Sequence, residues 1–206
     1  VLLLAPYWPL IAGIVHQARG LPIPVPVFAG EVEDGEGLLA ACEARASERT
    51  VAIYLNTPNN PTGRLLPRSW IEALVAWARA RDLWILADEV YEDYVYRGAH
   101  THTRPLAPER TFAAHSFSKA YGMAGNRCGF FVGPQAAIST IRAFATSTVY
   151  NTPTIAQKCA LAALRGPGDA WAAEAAAEYA VTGRRAAERL GIQAPQGSTF
   201  LFFDVA

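Results

Sequence analysis

Three apolar segments of this 206-residue chain run directly into short polar stretches, and this repeated pattern constrains the fold more than any other feature. Leu83–Ala87 leads into Asp-Glu-Val-Tyr at 88–91, and Val51–Leu55 leads into Asn-Thr-Pro-Asn-Asn-Pro-Thr-Gly at 56–63. Thr111–His115 leads into Ser-Phe-Ser-Lys-Ala-Tyr-Gly at 116–122. Because open α/β sheets build their sites at the carboxyl ends of their strands, the pattern predicts one site assembled from several strand ends.

Strands and helices alternate along the chain, which favours a three-layer α/β sandwich with a mostly parallel sheet covered on both faces. The remaining strands are predicted at Val1–Ala5, Ile23–Val27 and Cys128–Val132. A helix is predicted over Ser69–Arg81, just after Pro67, because its apolar residues recur at helical spacing.

Three further helices are predicted towards the end of the chain. Amphipathic patterns cover Ala136–Thr146 and Ile155–Leu164, and an alanine-rich stretch covers Asp169–Leu190 and is closed by Gly191. A last strand is expected near Phe200–Ala206. Because the chain begins and stops in apolar strand patterns, we expect an internal segment of a longer protein.

The composition argues against capture of polyanions. Lysine plus arginine and aspartate plus glutamate both number 18, so neither nucleic acid nor an anionic membrane is an expected partner. The three cysteines are widely spaced and form no CxxC pair, which is typical of reduced thiols in the cytoplasm. The four histidines lack metal-ligand spacing with the cysteines or acids, so we predict no metal site and expect His100 and His102 to be solvated.

The strand-end motifs resemble the class I/II aminotransferases, which are fold-type I enzymes dependent on pyridoxal 5'-phosphate (PLP). The resemblance rests on Asn-Asn-Pro-Thr-Gly at 59–63, Asp-Glu-Val-Tyr at 88–91, Ser-Phe-Ser-Lys at 116–119 and Arg-Cys-Gly at 127–129. Each motif alone is weak, but four in the family's order and at similar spacing are specific.

The resemblance implies a catalytic role for three residues. Lys119 would form the Schiff base with PLP, and Asp88 would pair with the ring nitrogen and keep it protonated. Tyr91 would donate to the phenolic oxygen of the cofactor. Taken singly, Lys119 also fits an exposed surface lysine and Asp88 fits a residue that closes a turn.

Four further residues match cofactor ligands of the family. Asn60 would join Tyr91 at the phenolic oxygen, and its two-proline frame also fits a rigid turn. Ser116 and Arg127 would bind the phosphate, for which a hydroxyl and a forked guanidinium are well suited. Trp8 would stack on the pyridine ring, although a core tryptophan fits the short match nearly as well.

The resemblance also implies a domain division and a homodimer. Residues 1–181 would belong to a large PLP-binding domain without its N-terminal part, and residues 182–206 would begin a smaller α+β C-terminal domain. Two family features would lie outside the chain: the helix start that binds phosphate and the arginine that grips the substrate carboxylate.

Three functions remain open at this point. The first is transfer of an amino group between an amino acid and a 2-oxo acid in the cytoplasm. The second keeps PLP but gives a lyase or synthase outcome, as in carbon–sulfur β-lyases or aminocyclopropane-carboxylate synthases. The third is the PLP-sensing domain of a transcription regulator. The sequence does not identify the substrate side chain.

Overall fold

The computed structural model describes residues 1–28, 30 and 32–204. It contains a six-stranded sheet whose strands alternate with helices in the first half of the chain. The strands are β1 (Leu2–Ala5), β2 (Ile23–Pro26), β3 (Ala52–Asn56), β4 (Trp84–Asp88), β5 (Thr111–Ser116) and β6 (Gly129–Val132). The helices are α1 (Leu10–Gln17), α2 (Gly35–Glu43), α3 (Arg68–Ala80), α4 (Gln135–Thr148), α5 (Thr154–Arg165) and α6 (Gly168–Leu190).

The sheet has the spatial order β2-β1-β3-β4-β5-β6. Strands β1 to β5 are mutually parallel, and β6 joins β5 in the antiparallel sense. The order reverses at β1, which lies between β2 and β3. Such a switch point opens a crevice at the carboxyl ends of the strands, and that is where open α/β sheets bind their ligands.

The core lies on both faces of the sheet, because successive strand residues point to opposite sides. Leu2 and Leu4 pack with Ile53 in a cluster that also takes in the inner faces of α2 and α3. Leu3 and Tyr54 face the other way and pack with α1. The chain therefore forms a three-layer α/β sandwich, as the alternating pattern predicted.

Helix α3 shows how the sequence produces this packing. Its buried residues recur at the spacing of one helical face: Ile71, Leu74, Val75 and Ala78. Pro67 stands at the N-cap, where a missing N–H costs nothing. Full burial of one aliphatic side chain contributes about 1.5–3 kcal/mol, so this face ties the helix firmly to the sheet.

Most predicted elements are confirmed within one or two residues. All six predicted sheet strands form, and so do the four predicted helices. Gly191 ends α6 in the left-handed region at φ 67°, a conformation that glycine adopts without strain. Helices α1 and α2 were not predicted. No helix in the described part of the chain is long and apolar enough to cross a membrane.

The strand expected near Phe200–Ala206 is wrong for residues 200–204, which form neither strand nor helix. No described strand lies beside them to accept their backbone hydrogen bonds. Just before this segment, Gly197 forms an isolated β-bridge with Val95. Residues 205–206 lie outside the described residues. The predicted domain boundary at 181/182 falls inside the continuous helix α6 and stays a prediction.

Candidate active site

The predicted site residues follow neighbouring strands of the sheet. Asp88 is the last residue of β4, and it pairs in register with Asn56 of β3 and Ala114 of β5. Ser116 is the last residue of β5. Because these strands are parallel, their polar ends meet at one edge of the sheet.

Asp88 is held by its neighbours on β3 and in the following turn. Tyr54 Oη donates to Asp88 Oδ2 at 2.7 Å, and the Val90 N–H donates to Oδ1 at 3.4 Å. Burial raises the pKa of Asp88 above its ordinary value of 3.8, while these two hydrogen bonds and the positive charge of Lys119 lower it and offset burial only in part. The result is a partly buried, oriented carboxylate whose charge interacts with the Lys119 amine.

Lys119 lies in the loop after β5, beside the buried ring of Tyr91. Its Nζ is 5.4 Å from the centroid of that ring, within reach of a cation–π attraction. The backbone of Lys119 is held by Tyr94, whose hydroxyl donates to Lys119 O at 2.9 Å. The side chain is partly buried, so the interpretation of Lys119 as an exposed surface lysine does not describe this structure.

Tyr91 and Asn60 meet at the same edge. Burial raises the pKa of the Tyr91 hydroxyl to about 12, against opposing hydrogen bonds from Thr199 and Asn60. Asn60 is positioned by Asn56, because the Asn60 N–H donates to Asn56 Oδ1 at 2.7 Å. The amide of Asn56 also donates to Asp88 O at 2.8 Å. One buried asparagine thus links the turn of Asn60 to the end of β4.

Ser116 and Arg127 belong to adjacent segments but are not joined by a hydrogen bond among the described residues. Ser116 Oγ accepts from the Ser118 N–H at 3.1 Å, which leaves its hydroxyl hydrogen available. Arg127 is exposed, and its guanidinium donates to Ala124 O at 2.9 Å. Its backbone lies in the left-handed region at φ 53°, a strained conformation for a residue with a side chain.

Trp8 is partly buried on the α1 side of the sheet. It packs against the cluster that contains Leu3, Ile11 and Tyr54. A core role and a stacking role for Trp8 are both compatible with this position. It lies on the side of the sheet from which Tyr54 reaches Asp88.

Sequence reasoning assigned no role to Tyr54 or Asn56. Tyr54 lies inside the strand predicted over Val51–Leu55, and Asn56 was placed just after that strand, whereas the structure makes it the last residue of β3. The available signal was a phenol within the apolar run and an amide directly after it, on the strand that neighbours β4. Thr199 carried no signal, since only folding brings it to Tyr91. The expectation of a solvated His100 is wrong, because its side chain is only 7% exposed and lies beside Glu89.

The comparisons with known proteins place this α/β fold in one enzyme family. The family model for aminotransferase class I and II matches residues 1–203, and the chain belongs to this family. Among curated relatives, a probable aspartate/prephenate aminotransferase of Thermus aquaticus is 34% identical over 215 residues, covering 100% of this chain and 55% of its own. An arginine–pyruvate transaminase of Pseudomonas aeruginosa is 36% identical over 152 residues, covering 73% and 38%.

Solved structures show the same fold. A Thermus thermophilus aspartate aminotransferase mutant superposes with a TM-score of 0.85 at 31% identity, covering 96% of this chain and 56% of its own. An aromatic aminotransferase from Pyrococcus horikoshii gives 0.89 at 28% identity, covering 96% and 55%. The chain therefore has the α/β fold of the fold-type I enzymes, and it spans about half the length of the relatives that it matches.

Proposed function

We propose that this chain forms the cofactor-binding core of a PLP-dependent aminotransferase. The observation that carries the proposal is the end of β4, where the oriented carboxylate of Asp88 interacts with the charge of Lys119. Both groups lie beside Tyr91, whose hydroxyl receives a hydrogen bond from Asn60. An amine, a carboxylate and a phenol at one strand edge are the groups that amino transfer requires from the protein.

The side chains present fit PLP. When bound, this cofactor supplies the carbonyl carbon for imine formation and the ring that withdraws electrons. Asp88 would hold the pyridine nitrogen, and Asn60 and Tyr91 would hold the phenolic oxygen. Ser116 and Arg127 would bind the phosphate, and Trp8 would lie against the ring.

Lys119 would have two tasks. Its Nζ would hold the cofactor covalently until a substrate amine displaces it. The freed amine would then be the base that accepts the proton from the substrate Cα and the acid that later donates it. A positioned base contributes about 10²–10⁴ in rate, and the fixed backbone of Lys119 at Tyr94 supports such positioning.

Amino transfer is favoured over a lyase, a synthase or a regulator outcome by the names of the relatives. Aspartate, prephenate, arginine and pyruvate appear in those names. We therefore propose an amino acid and a 2-oxo acid as substrates. The side chain of the amino acid is left open, because the relatives differ in it.

We also propose a homodimer in the cytoplasm. Strand β6 exposes Phe130 and Phe131, and α4 buries none of its residues and exposes Phe144. Large apolar side chains exposed on neighbouring elements are typical of an interface. The three cysteines are free thiols, in keeping with a reducing compartment.

The covalent assignment can be tested because the chain has only two lysines, Lys119 and Lys158. The purified protein with PLP should show the visible absorption of a covalently bound cofactor. Borohydride reduction and peptide mass spectrometry should then place the adduct on Lys119. Lys119→Ala should abolish the adduct, and Lys158→Ala, at an exposed position on α5, should not. An adduct on Lys158, or none, would overturn the proposal.

A further inference from the structure

A second cluster of ionisable side chains lies behind the candidate active site. Glu89 follows Asp88 directly and continues beside β5, with its N–H donating to Ala114 O at 3.0 Å. Because successive residues of a strand face opposite sides, Glu89 points away from Asp88. It meets a loop that carries two histidines. One ligand atom each from Glu89, Glu92, His100 and His102 lies within 4.8 Å of every other.

The separations within this cluster suit a single small cation. His102 Nδ1 lies 2.9 Å from Glu89 Oε2 and 3.4 Å from Glu92 Oε2. His100 Nε2 lies 3.6 Å from Glu89 Oε2. Ligands about 2.1 Å from a tetrahedral ion are about 3.4 Å from one another. The three separations, from 2.9 to 3.6 Å, bracket that value.

His100 supplies an independent indication of a ligand. Its side chain is only 7% exposed, and neither ring nitrogen has a hydrogen-bond partner among the described residues. A buried polar group left unpaired normally costs about 1–3 kcal/mol. Its Nε2 is aimed at the carboxylate of Glu89 but stands beyond hydrogen-bond distance. A cation between them would give the His100 Nε2 the partner that it lacks.

The surroundings of the cluster would let a cation enter and would balance its charge. A cavity of about 310 Å³ opens beside the cluster, and Glu89, His102 and His115 are among the residues that line it. His115 Nδ1 lies 2.8 Å from Glu92 Oε1, the oxygen that is not aimed at His102. Such a contact orients a ligating carboxylate from outside. Two carboxylates and two neutral imidazoles would compensate a dication.

We propose that Glu89, Glu92, His100 and His102 bind one divalent transition-metal ion with the ligand preference of Zn²⁺. Two imidazoles beside two carboxylates favour such an ion over Mg²⁺ or Ca²⁺, which select oxygen ligands. The ion would fix the histidine loop to the turn after β4. The site lies across the sheet from Asp88, and its role would be structural.

The test uses the purified protein without a histidine tag, stripped of metal by a chelator. Zn²⁺ is titrated in by calorimetry, and Co²⁺ is titrated in by visible absorption. We expect one equivalent of each to bind and Zn²⁺ to raise the thermal midpoint, because a ligand that binds the native state stabilises it. His102→Ala, at a position 56% exposed, should lower the affinity at least tenfold. His16→Ala, on the exposed side of α1, should leave it unchanged.

Two further variants distinguish binding at this cluster from binding elsewhere on the protein. Glu89→Gln keeps the shape of the side chain and an oxygen acceptor for the Thr103 N–H, and it should also lose the ion. If that variant fails to fold, His102→Ala decides the question. Cys159→Ser should leave the Co²⁺ spectrum intact. Absence of stoichiometric binding, binding unaltered in His102→Ala, or binding lost in Cys159→Ser would each overturn the proposal.

Discussion

Replacing Tyr54 by phenylalanine tests how the Asp88 carboxylate is maintained. The change removes the hydroxyl that donates to Asp88 Oδ2 at 2.7 Å and leaves the ring in its cluster. A hydrogen bond to a charged group contributes about 1.5–3 kcal/mol, and one between neutral groups contributes about 0.5–1.5 kcal/mol. We expect Tyr54→Phe to cost about 2 kcal/mol of unfolding free energy at neutral pH, and about 1 kcal/mol in an Asp88→Asn background.

The difference between these two costs is a coupling free energy of about 1 kcal/mol, and it depends on pH. Burial raises the folded pKa of Asp88 above its ordinary value of 3.8. A group with a raised folded pKa contributes stability that is present below its unfolded pKa and is lost as the pH rises through the folded pKa. Removing the Tyr54 hydroxyl raises that pKa further. The coupling should therefore be near zero when Asp88 is protonated and should grow as Asp88 ionises.

The assay is urea unfolding of the parent, the two single variants and the double variant, followed by tryptophan fluorescence from about pH 4 to about pH 8. Tyr150→Phe is the matched control, because its hydroxyl is exposed at the surface. Equal losses in both backgrounds, or a coupling that does not change with pH, would refute the inferred role of Tyr54.

Three other perturbations have definite expected outcomes. Asp88→Asn should lower the transamination rate by about 10²–10³, the cost of about 3–4 kcal/mol for one lost electrostatic partner, as measured by turnover. Arg127→Lys should raise the dissociation constant of PLP at least tenfold in a cofactor titration, because the forked donor is lost, and Ser116→Ala should raise it less. In thiol titration with Ellman's reagent, Cys42 should stay unreactive until the protein unfolds, because burial raises its pKa to about 12, whereas the partly exposed Cys159 should react in the native state.

Each of these outcomes has a contrary result. Turnover of Asp88→Asn within a few-fold of the parent would make the carboxylate structural. If Arg127→Lys left PLP affinity unchanged but raised the KM for the amino acid, the arginine would bind substrate instead of phosphate. Rapid reaction of Cys42 in the native protein would mean that α2 opens locally from the sheet.

The strands could be predicted from the sequence because the parallel sheet is buried on both faces. Such strands appear as continuous apolar runs, and Val51–Leu55 and Leu83–Ala87 need no partner information to be recognised. Helices α3 to α6 could also be predicted, because each is long or shows apolar residues at helical spacing. Helices α1 and α2 are short and contain Gly13, Gly35 and Gly37, which lower the intrinsic helix propensity of these segments. Their helical structure therefore depends on packing against the sheet, which the local sequence does not reveal.

The site was predictable where each residue follows its strand directly. Asp88 and Ser116 are strand ends, and their position is fixed by local sequence alone. Contacts between strands were not predictable in this way. The Tyr54 bond to Asp88 depends on the register of β3 against β4, and the contact of Tyr91 with Phe200 depends on the path of the chain after α6.

The turn after β4 joins the candidate active site to the cluster behind it. Glu89 accepts from the Thr103 N–H at 2.8 Å and stands beside His102, and Glu92 stands beside His115. Tyr91 lies between these two glutamates in the sequence and faces Lys119. Because the backbone of the turn is anchored at both glutamates, the position of the Tyr91 ring depends on contacts made on the opposite side of the sheet. A substitution at either glutamate should therefore shift the Tyr91 ring, although neither glutamate is assigned a contact with PLP. A change in PLP affinity in such a variant would show that the glutamate acts by positioning Tyr91.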